Sequence, residues 1–308
     1  STLTWLVSSL ISLFHRAWIV SEDPIILQEQ LQMLSIWRPH LPDSIDGEPL
    51  ATQISDLFTN FPYHRLPHNV GLQLFLRPEG MLAMLLFYLL LSKPLFRQVH
   101  RLINPKAPWF INSIALHNFL LAVFSAAVAL NGWPLVYQHW TTQGLFETYC
   151  DPNDTLWDSG LGSWTFIFYI SKYYEFVDTW ILVLKGKPPS FLQVYHHTGI
   201  AFCMWIGVLS HSPWLKYVVL LNSVIHTLMY TYFLIKTIDP KVEIKGAKHL
   251  TMAQIGQFFT GIIVSFPILI MGEKCDTASS RFGLLSLQVY GYGLVGLFMA
   301  FAKRKYKN

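Results

Sequence analysis

NSIALHNFLLAVFSAAVALNG, residues 112–132, carries no Lys, Arg, Asp or Glu over twenty-one positions. At ~1.5 Å rise per residue, a helix of that length crosses the ~30 Å hydrocarbon core of a bilayer. Six further mostly apolar stretches of helical length lie around it, near 79–96, 163–184, 190–210, 214–235, 251–271 and 284–302. Gly and Pro punctuate runs of this length, and the ten-residue alternation of a strand barrel is missing. The sequence therefore predicts an all-α, polytopic membrane protein with seven transmembrane helices. Composition agrees, because 52% of the 308 residues are apolar and only 13% charged, unlike a soluble domain.

Two regions follow from the spans. Residues 1–78 read as an N-terminal arm: the run Trp5 to Ile19 carries His15 and Arg16 and suits an interfacial helix, with an eighth span as the weaker alternative. Residues 79–308 form the seven-helix domain. The chain opens at Ser1, and no signal peptide with a cleavage site is visible.

Basic residues mark the cytosolic side of short loops. Arg97, Arg101, Lys106, Lys185, Lys187, Lys236, Lys241, Lys245, Lys248 and the tail Lys303 to Lys307 fall on one side, whereas residues 133–161, read as a long loop, hold no Lys or Arg. This predicts a cytosolic C-terminus. The acceptor sequence Asn153-Asp154-Thr155 then falls in the lumen, where glycosylation can occur. Cys150 and Cys275 also lie on that side, where a disulfide is expected to form, two unpaired thiols being the alternative.

Ionisable and amide side chains inside spans are costly, so they face a cavity or each other. On the third span Lys172, Glu175, Asp178 and Thr179 recur at i, i+3, i+6 and i+7, one helical face. Gln193, His196 and His197 share a face of the fourth, and Asn222, His226, Met229 and Tyr230 form a stripe on the fifth. The sixth begins with Thr251, Gln254 and Gln257, and the second carries Asn112, His117 and Asn118. Counted from the basic ends, His196 lies roughly 8–10 Å and His226 roughly 15 Å inside. The polar groups converge in the cytosolic half, and beyond them Phe202, Trp205 and Ile206 are apolar or aromatic. Such a cavity suits an anionic head with a long hydrocarbon tail, as in acyl-CoA, with Lys185 and Lys187 among the rim cations for its phosphates.

Each signal has a plainer reading. A His-His pair in a helix is as often structural as functional, and His226 tips the balance by adding a second buried imidazole, so that nucleophile and base share a pocket. Lys172 and Glu175 read equally well as an internal salt bridge, and Gln254 and Gln257 as interhelical contacts. Asp178 and Thr179 suit partners that orient a histidine. Cys203 reads as a small packing residue rather than a thiolate nucleophile.

Four segments carry a family resemblance. Lys172-Tyr-Tyr-Glu175-Phe-Val-Asp178-Thr179 resembles the KxxExxDT pattern of the ELO family of fatty acid elongases, and Gln193-Val-Tyr-His196-His197 resembles its histidine box. Asn222-Ser-Val-Ile-His226-Thr-Leu-Met229-Tyr230 and Thr251-Met-Ala-Gln254-Ile-Gly-Gln257-Phe258 resemble its NSxxHxxMY and TxxQxxQ signatures. Four motifs in order are specific. Gln193 stands where most members have His, a form similar to that of elongases of polyunsaturated acyl chains. Position 193 therefore supplies no required imidazole.

The resemblance implies seven helices, six of them around a closed acyl tunnel, in the endoplasmic reticulum membrane. It implies condensation of malonyl-CoA with a long-chain, polyunsaturated acyl-CoA to 3-ketoacyl-CoA, CO2 and CoA. No cofactor and no metal are expected. Implied partners are a ketoacyl-CoA reductase, a hydroxyacyl-CoA dehydratase, an enoyl-CoA reductase and the membrane lipid, with a homodimer left open and no nucleic acid. In the expected mechanism His196, with His226 as the other candidate, takes the acyl group. Asp178 orients a histidine, and Asn222, Gln254, Gln257 or Lys172 donates to the oxyanions. Two rivals stand beside this reading. A di-iron desaturase or hydroxylase would need more clustered histidines than the His196-His197 pair, and a seven-helix transporter or receptor would place its site nearer the midplane.

Overall fold

A computed structural model describes residues 74–306, apart from the side chains at 273 and 278. The interfacial helix expected at Trp5–Ile19, the alternative eighth span and nearly all of the arm read at 1–78 lie outside the described residues. Every regular element within them is helical.

Helix α1, Pro78–His100, passes through a π-helical turn at Phe87–Ser92. Then come α2, Pro108–Gln143, and the short α3, Leu145–Cys150. A π turn at Trp157–Leu161 leads into α4, Gly162–Tyr174, and α5, Phe176–Leu184, which form one rod interrupted at Glu175. The rest are α6, Phe191–Leu209; α7, Leu215–Ile238; α8, Ala247–Met271; and α9, Ala278–Tyr306. Proline begins α1 and α2, where its missing N–H has no helical partner to lose.

Among the described residues five helices are long and apolar enough to cross a membrane: α1, α2, α7, α8 and Ser279–Tyr306 of α9. These make the chain a polytopic membrane protein. The other two expected spans are present as helices, but they carry the polar motifs. Lys172, Glu175 and Asp178 sit in the interrupted α4–α5 rod, and Gln193, His196 and His197 lower the hydropathy of α6.

The expected long loop at 133–161 is corrected. Helix α2 continues through Trp133-Pro134 to Gln143, and α3 and the π turn occupy much of the remainder. A proline inside a helix removes one backbone hydrogen bond, and in an apolar setting the helix resumes rather than expose the others. The Cys150 and Cys275 sulfurs are bonded, tying the end of α3 to the turn between α8 and α9. Asn153 is exposed nearby.

Packing concentrates on α6, where Met204, Trp205, Ile206 and Leu209 are fully buried. Trp205 Nε1 donates to the Leu76 carbonyl at 2.7 Å, and Trp214 Nε1 to that of Ser280 at 3.1 Å, so neither indole leaves a buried donor unpaired.

Candidate active site

Helix α6 starts at Ser190, whose hydroxyl accepts from the Gln193 N–H at 3.2 Å. This cap fixes the first turn and sets Gln193, His196 and His197 facing a cavity of about 700 Å³. Among the described residues, six of the seven helical rods line that cavity, all but α1. Glu175, Asp178 and Lys185 come from the α4–α5 rod, Asn222, His226 and Tyr230 from α7, and Gln254 and Gln257 from α8. Behind His196, Asn222 and Gln257, a crevice of about 70 Å³ runs on between Ile200, Trp214, Leu221, Ile262 and Leu287. A wide polar chamber thus meets a narrow apolar one at His196.

One ring nitrogen each of His196 and His226 and one Glu175 oxygen lie within 4.8 Å of one another. His226 Nδ1 is 3.5 Å from Glu175 Oε1, too poorly aligned for a hydrogen bond, and has no hydrogen-bond partner among the described residues. His196 Nδ1 lies 2.8 Å from the Tyr290 hydroxyl. The His197 ring stands steeply inclined to those of Tyr88 and Phe176, with centroids 6.1 and 6.2 Å away. The two rings expected to share one chamber therefore do so.

Charges are matched inside this centre. Lys172 Nζ donates to Glu175 Oε1 at 2.7 Å and to Asn222 Oδ1 at 3.1 Å, and it lies 3.9 Å over the Phe168 ring. An ammonium only donates, so the Asn222 carbonyl must face it. The Asn222 amide then donates to Gln257 Oε1 at 3.5 Å. This ordering leaves the Gln257 Nε2 hydrogens for the cavity. Gln254 Nε2 contacts Met229 Sδ at 3.3 Å.

Asp178 was expected to orient a reacting histidine, and its contacts correct the choice of ring. Its oxygens bind His117 Nε2 at 2.9 Å and accept from the Tyr230 hydroxyl at 2.6 Å, while Glu175 stands beside His226. The spacing explains the exchange. At 100° per residue, positions 172, 175, 178 and 179 span an arc of about 120°. Lys172 and Thr179 occupy one edge and Asp178 the other, toward α2 and α7.

The structure does not bring Lys172, Thr179 or Lys187 to the cavity wall. Lys172 is consumed by its ion pair, Thr179 bonds the Tyr88 hydroxyl at 2.8 Å, and Lys187 is exposed. At the mouth, Lys185, Lys236 and Lys305 do line the cavity. Burial, then the neighbouring Lys187, hold the Lys185 ammonium below its ordinary pKa. Lys236 is clamped by the Pro240 and Val242 carbonyls at 3.2 and 2.6 Å. Cys203 is buried and not part of the lining. Sequence reasoning missed Tyr290, Tyr88 and the pairing of His117; no periodicity within the last span singles out Tyr290.

Among the described residues, Glu175, His196 and His226 also form the one group placed to share a metal ion. Donors of a tetrahedral zinc stand roughly 3.3 Å apart, given bonds of about 2.0–2.1 Å, so a limit of 4.8 Å leaves that group open for a metal only if it contracts.

An all-helical polytopic membrane protein with a buried histidine and carboxylate centre, between a basic mouth and an apolar crevice, is the class these features define. Within that class, the chain belongs to the ELO family, described as GNS1/SUR4, which matches residues 73–308. It is similar to the fatty acid elongase sre1 of Dictyostelium discoideum, 36% identical over 198 residues covering 63% of this chain and 72% of the relative. It is also similar to the long chain fatty acid elongase 2 of Caenorhabditis elegans, 28% identical over 196 residues covering 64% and 72%. The human very long chain fatty acid elongase 3 is 32% identical over 166 residues, covering 53% and 61%.

Proposed function

We propose that this protein catalyses the condensing step of fatty acid elongation, joining malonyl-CoA to a long-chain acyl-CoA to give 3-ketoacyl-CoA, CO2 and CoA. One observation carries the reading: His196, His226 and Glu175 gather within 4.8 Å inside a cavity that has lysines at its mouth and an apolar crevice at its inner end. Family membership supports it. His196 attacks the thioester carbonyl, the C–S bond breaks, and the acyl group rests on imidazole while CoA leaves. Malonyl-CoA then loses CO2, and the resulting enolate takes the acyl group. Gln257 Nε2 donates to the oxyanion, and Glu175 balances the positive charge on the histidines.

The Gln-first box favours polyunsaturated chains. The charge bias of the loops favours a cytosolic C-terminus, which sets the mouth toward soluble CoA esters and the disulfide toward an oxidising lumen. Residence in the endoplasmic reticulum, where reductase and dehydratase partners act on the product, completes the reading. No cofactor is required by this chemistry.

Purified protein in lipid nanodiscs, given acyl-CoA and labelled malonyl-CoA, should release labelled 3-ketoacyl-CoA. His196→Ala and His226→Ala should each lower this at least a hundredfold while remaining monodisperse. Intact-mass analysis after acyl-CoA alone should show one added acyl group on wild type and none on His196→Ala. Activity without any trapped adduct would replace the covalent route by direct transfer with histidine as base. A second reading, in which Glu175, His196 and His226 hold a metal, predicts stoichiometric metal in the purified protein and loss of activity with chelator.

A further inference from the structure

Outside the four motifs, one side chain of α9 reaches the reacting histidine. The Tyr290 hydroxyl lies 2.8 Å from His196 Nδ1 and 3.2 Å from the His196 carbonyl oxygen, to which it donates. One hydroxyl carries one hydrogen. For both contacts to be hydrogen bonds, that hydrogen must go to the carbonyl oxygen, which only accepts, and the hydroxyl lone pair must face the ring. Both bonds form together only when Nδ1 bears the imidazole hydrogen. Nε2 then keeps its lone pair.

The ring that delivers this hydroxyl is seated by glycine. A Cβ on Gly199, less than one turn beyond His196, would overlap the Tyr290 ring, and a Cβ on Gly293 would overlap the Tyr195 phenol. The tyrosines stack with centroids 5.4 Å apart, and the Tyr195 hydroxyl donates to the Tyr290 carbonyl at 3.2 Å. Each helix thus presents a notch to the other's aromatic ring. That reciprocity fixes where the Tyr290 oxygen sits along α6.

We infer that Tyr290 is a positioning residue that locks His196 in its Nδ1–H tautomer, making Nε2 the nitrogen that attacks the acyl thioester; this rests on the acyl-histidine reading proposed above. The step balances. The Nε2 pair forms the N–C bond, the C–S pair leaves as CoA thiolate, and the ring becomes an acylimidazolium that keeps its Nδ1 hydrogen. The thiolate takes one proton from water at the mouth. The malonyl carboxylate leaves as CO2, its electron pair forms the enolate, and attack on the acyl carbon returns neutral imidazole. No proton has to enter or leave the ring at any point, so a hydroxyl that merely holds the Nδ1 hydrogen in place serves the whole cycle.

The test uses full-length protein with 15N-labelled histidine in nanodiscs, assigning His196 by its absence from His196→Ala. Wild type should show a protonated Nδ1 and a bare Nε2; a protonated Nε2 overturns the inference, with no variant needed. Tyr290→Phe should mix the tautomers, lower kcat about tenfold and leave KM for acyl-CoA within twofold, and Gly199→Ala should act in the same direction. An unchanged tautomer and unchanged kcat in Tyr290→Phe also overturn it. Absence of any acyl adduct on wild type would instead sink the covalent mechanism, while the nitrogen spectra would still report on Tyr290.

Discussion

Lys172 and Glu175 form an ion pair with 0% and 1% of their residue surfaces exposed and 2.7 Å between Nζ and Oε1. Changing Lys172→Met strands the carboxylate with no cation beside it, His226 Nδ1 standing 3.5 Å away. Changing Glu175→Leu strands the ammonium against Asn222 Oδ1 and the Phe168 face. Removing one partner of a buried pair costs about 3–5 kcal/mol. Each kcal/mol moves the midpoint of a domain this size by about 2–4 °C. Either single change should therefore lower the apparent midpoint in detergent by roughly 6–20 °C.

The double variant Lys172→Met with Glu175→Leu leaves no uncompensated charge, and replacing such a pair by apolar residues is often neutral. Its midpoint should return to within about 5 °C of wild type. Activity should not return. Glu175 would no longer stand beside His226, and nothing would hold the Asn222 carbonyl so that Gln257 presents its hydrogens to the cavity. Size-exclusion recovery after stepped heating reads the first outcome, and labelled malonyl-CoA incorporation reads the second. If the double variant loses as much stability as the two singles summed, the residues do not act as a pair. If it regains turnover, the polar chain from Lys172 to Gln257 has no part in the chemistry.

Two further outcomes concern the turns at the other end of the molecule. Cys150→Ser opens a link between positions 125 apart. The chain-entropy account puts that loss near ~5 kcal/mol, so reductant should lower the wild-type midpoint and leave the variant's unmoved. Burial pushes the Asp276 carboxyl up from 3.8 to about 7, against the pull of Ser280 and Arg281. Below the lower value both folded and unfolded states hold the proton. Between the two values only the unfolded state ionises, so stability falls as pH rises, by about 1.4 kcal/mol per unit or ~4 kcal/mol in all. Midpoints measured from pH 4 to pH 8 should slope downward for wild type and flatten for Asp276→Asn; parallel curves would refute the assignment.

Helical spacing in the sequence was enough to bring Gln193, His196, Asn222, His226, Gln254 and Gln257 to one cavity, because each motif sits on an unbroken helix whose 3.6-residue repeat survives packing. It was not enough on the third span. There the four polar residues fan across an arc of about 120° even at regular spacing, and the regular helix is also interrupted at Glu175, where the Asp178 N–H bonds the Glu175 carbonyl three residues back. Which carboxylate meets which histidine is then decided by the neighbours: His117 on α2 and Tyr230 on α7 capture Asp178, so Glu175 is left for His226.

Tyr290 was illegible for a different reason. A tyrosine among apolar residues inside a span reads as packing, and nothing in its own helix distinguishes it from Tyr292, which is 60% exposed where Tyr290 is 8%. The difference lies on another helix, in the missing side chain of Gly199. A position defined by an absent atom elsewhere leaves no periodicity to read. In a membrane bundle such residues are to be sought opposite glycines that lie within a turn of a motif histidine, where a bare backbone lets a neighbouring helix bring a hydroxyl to the ring.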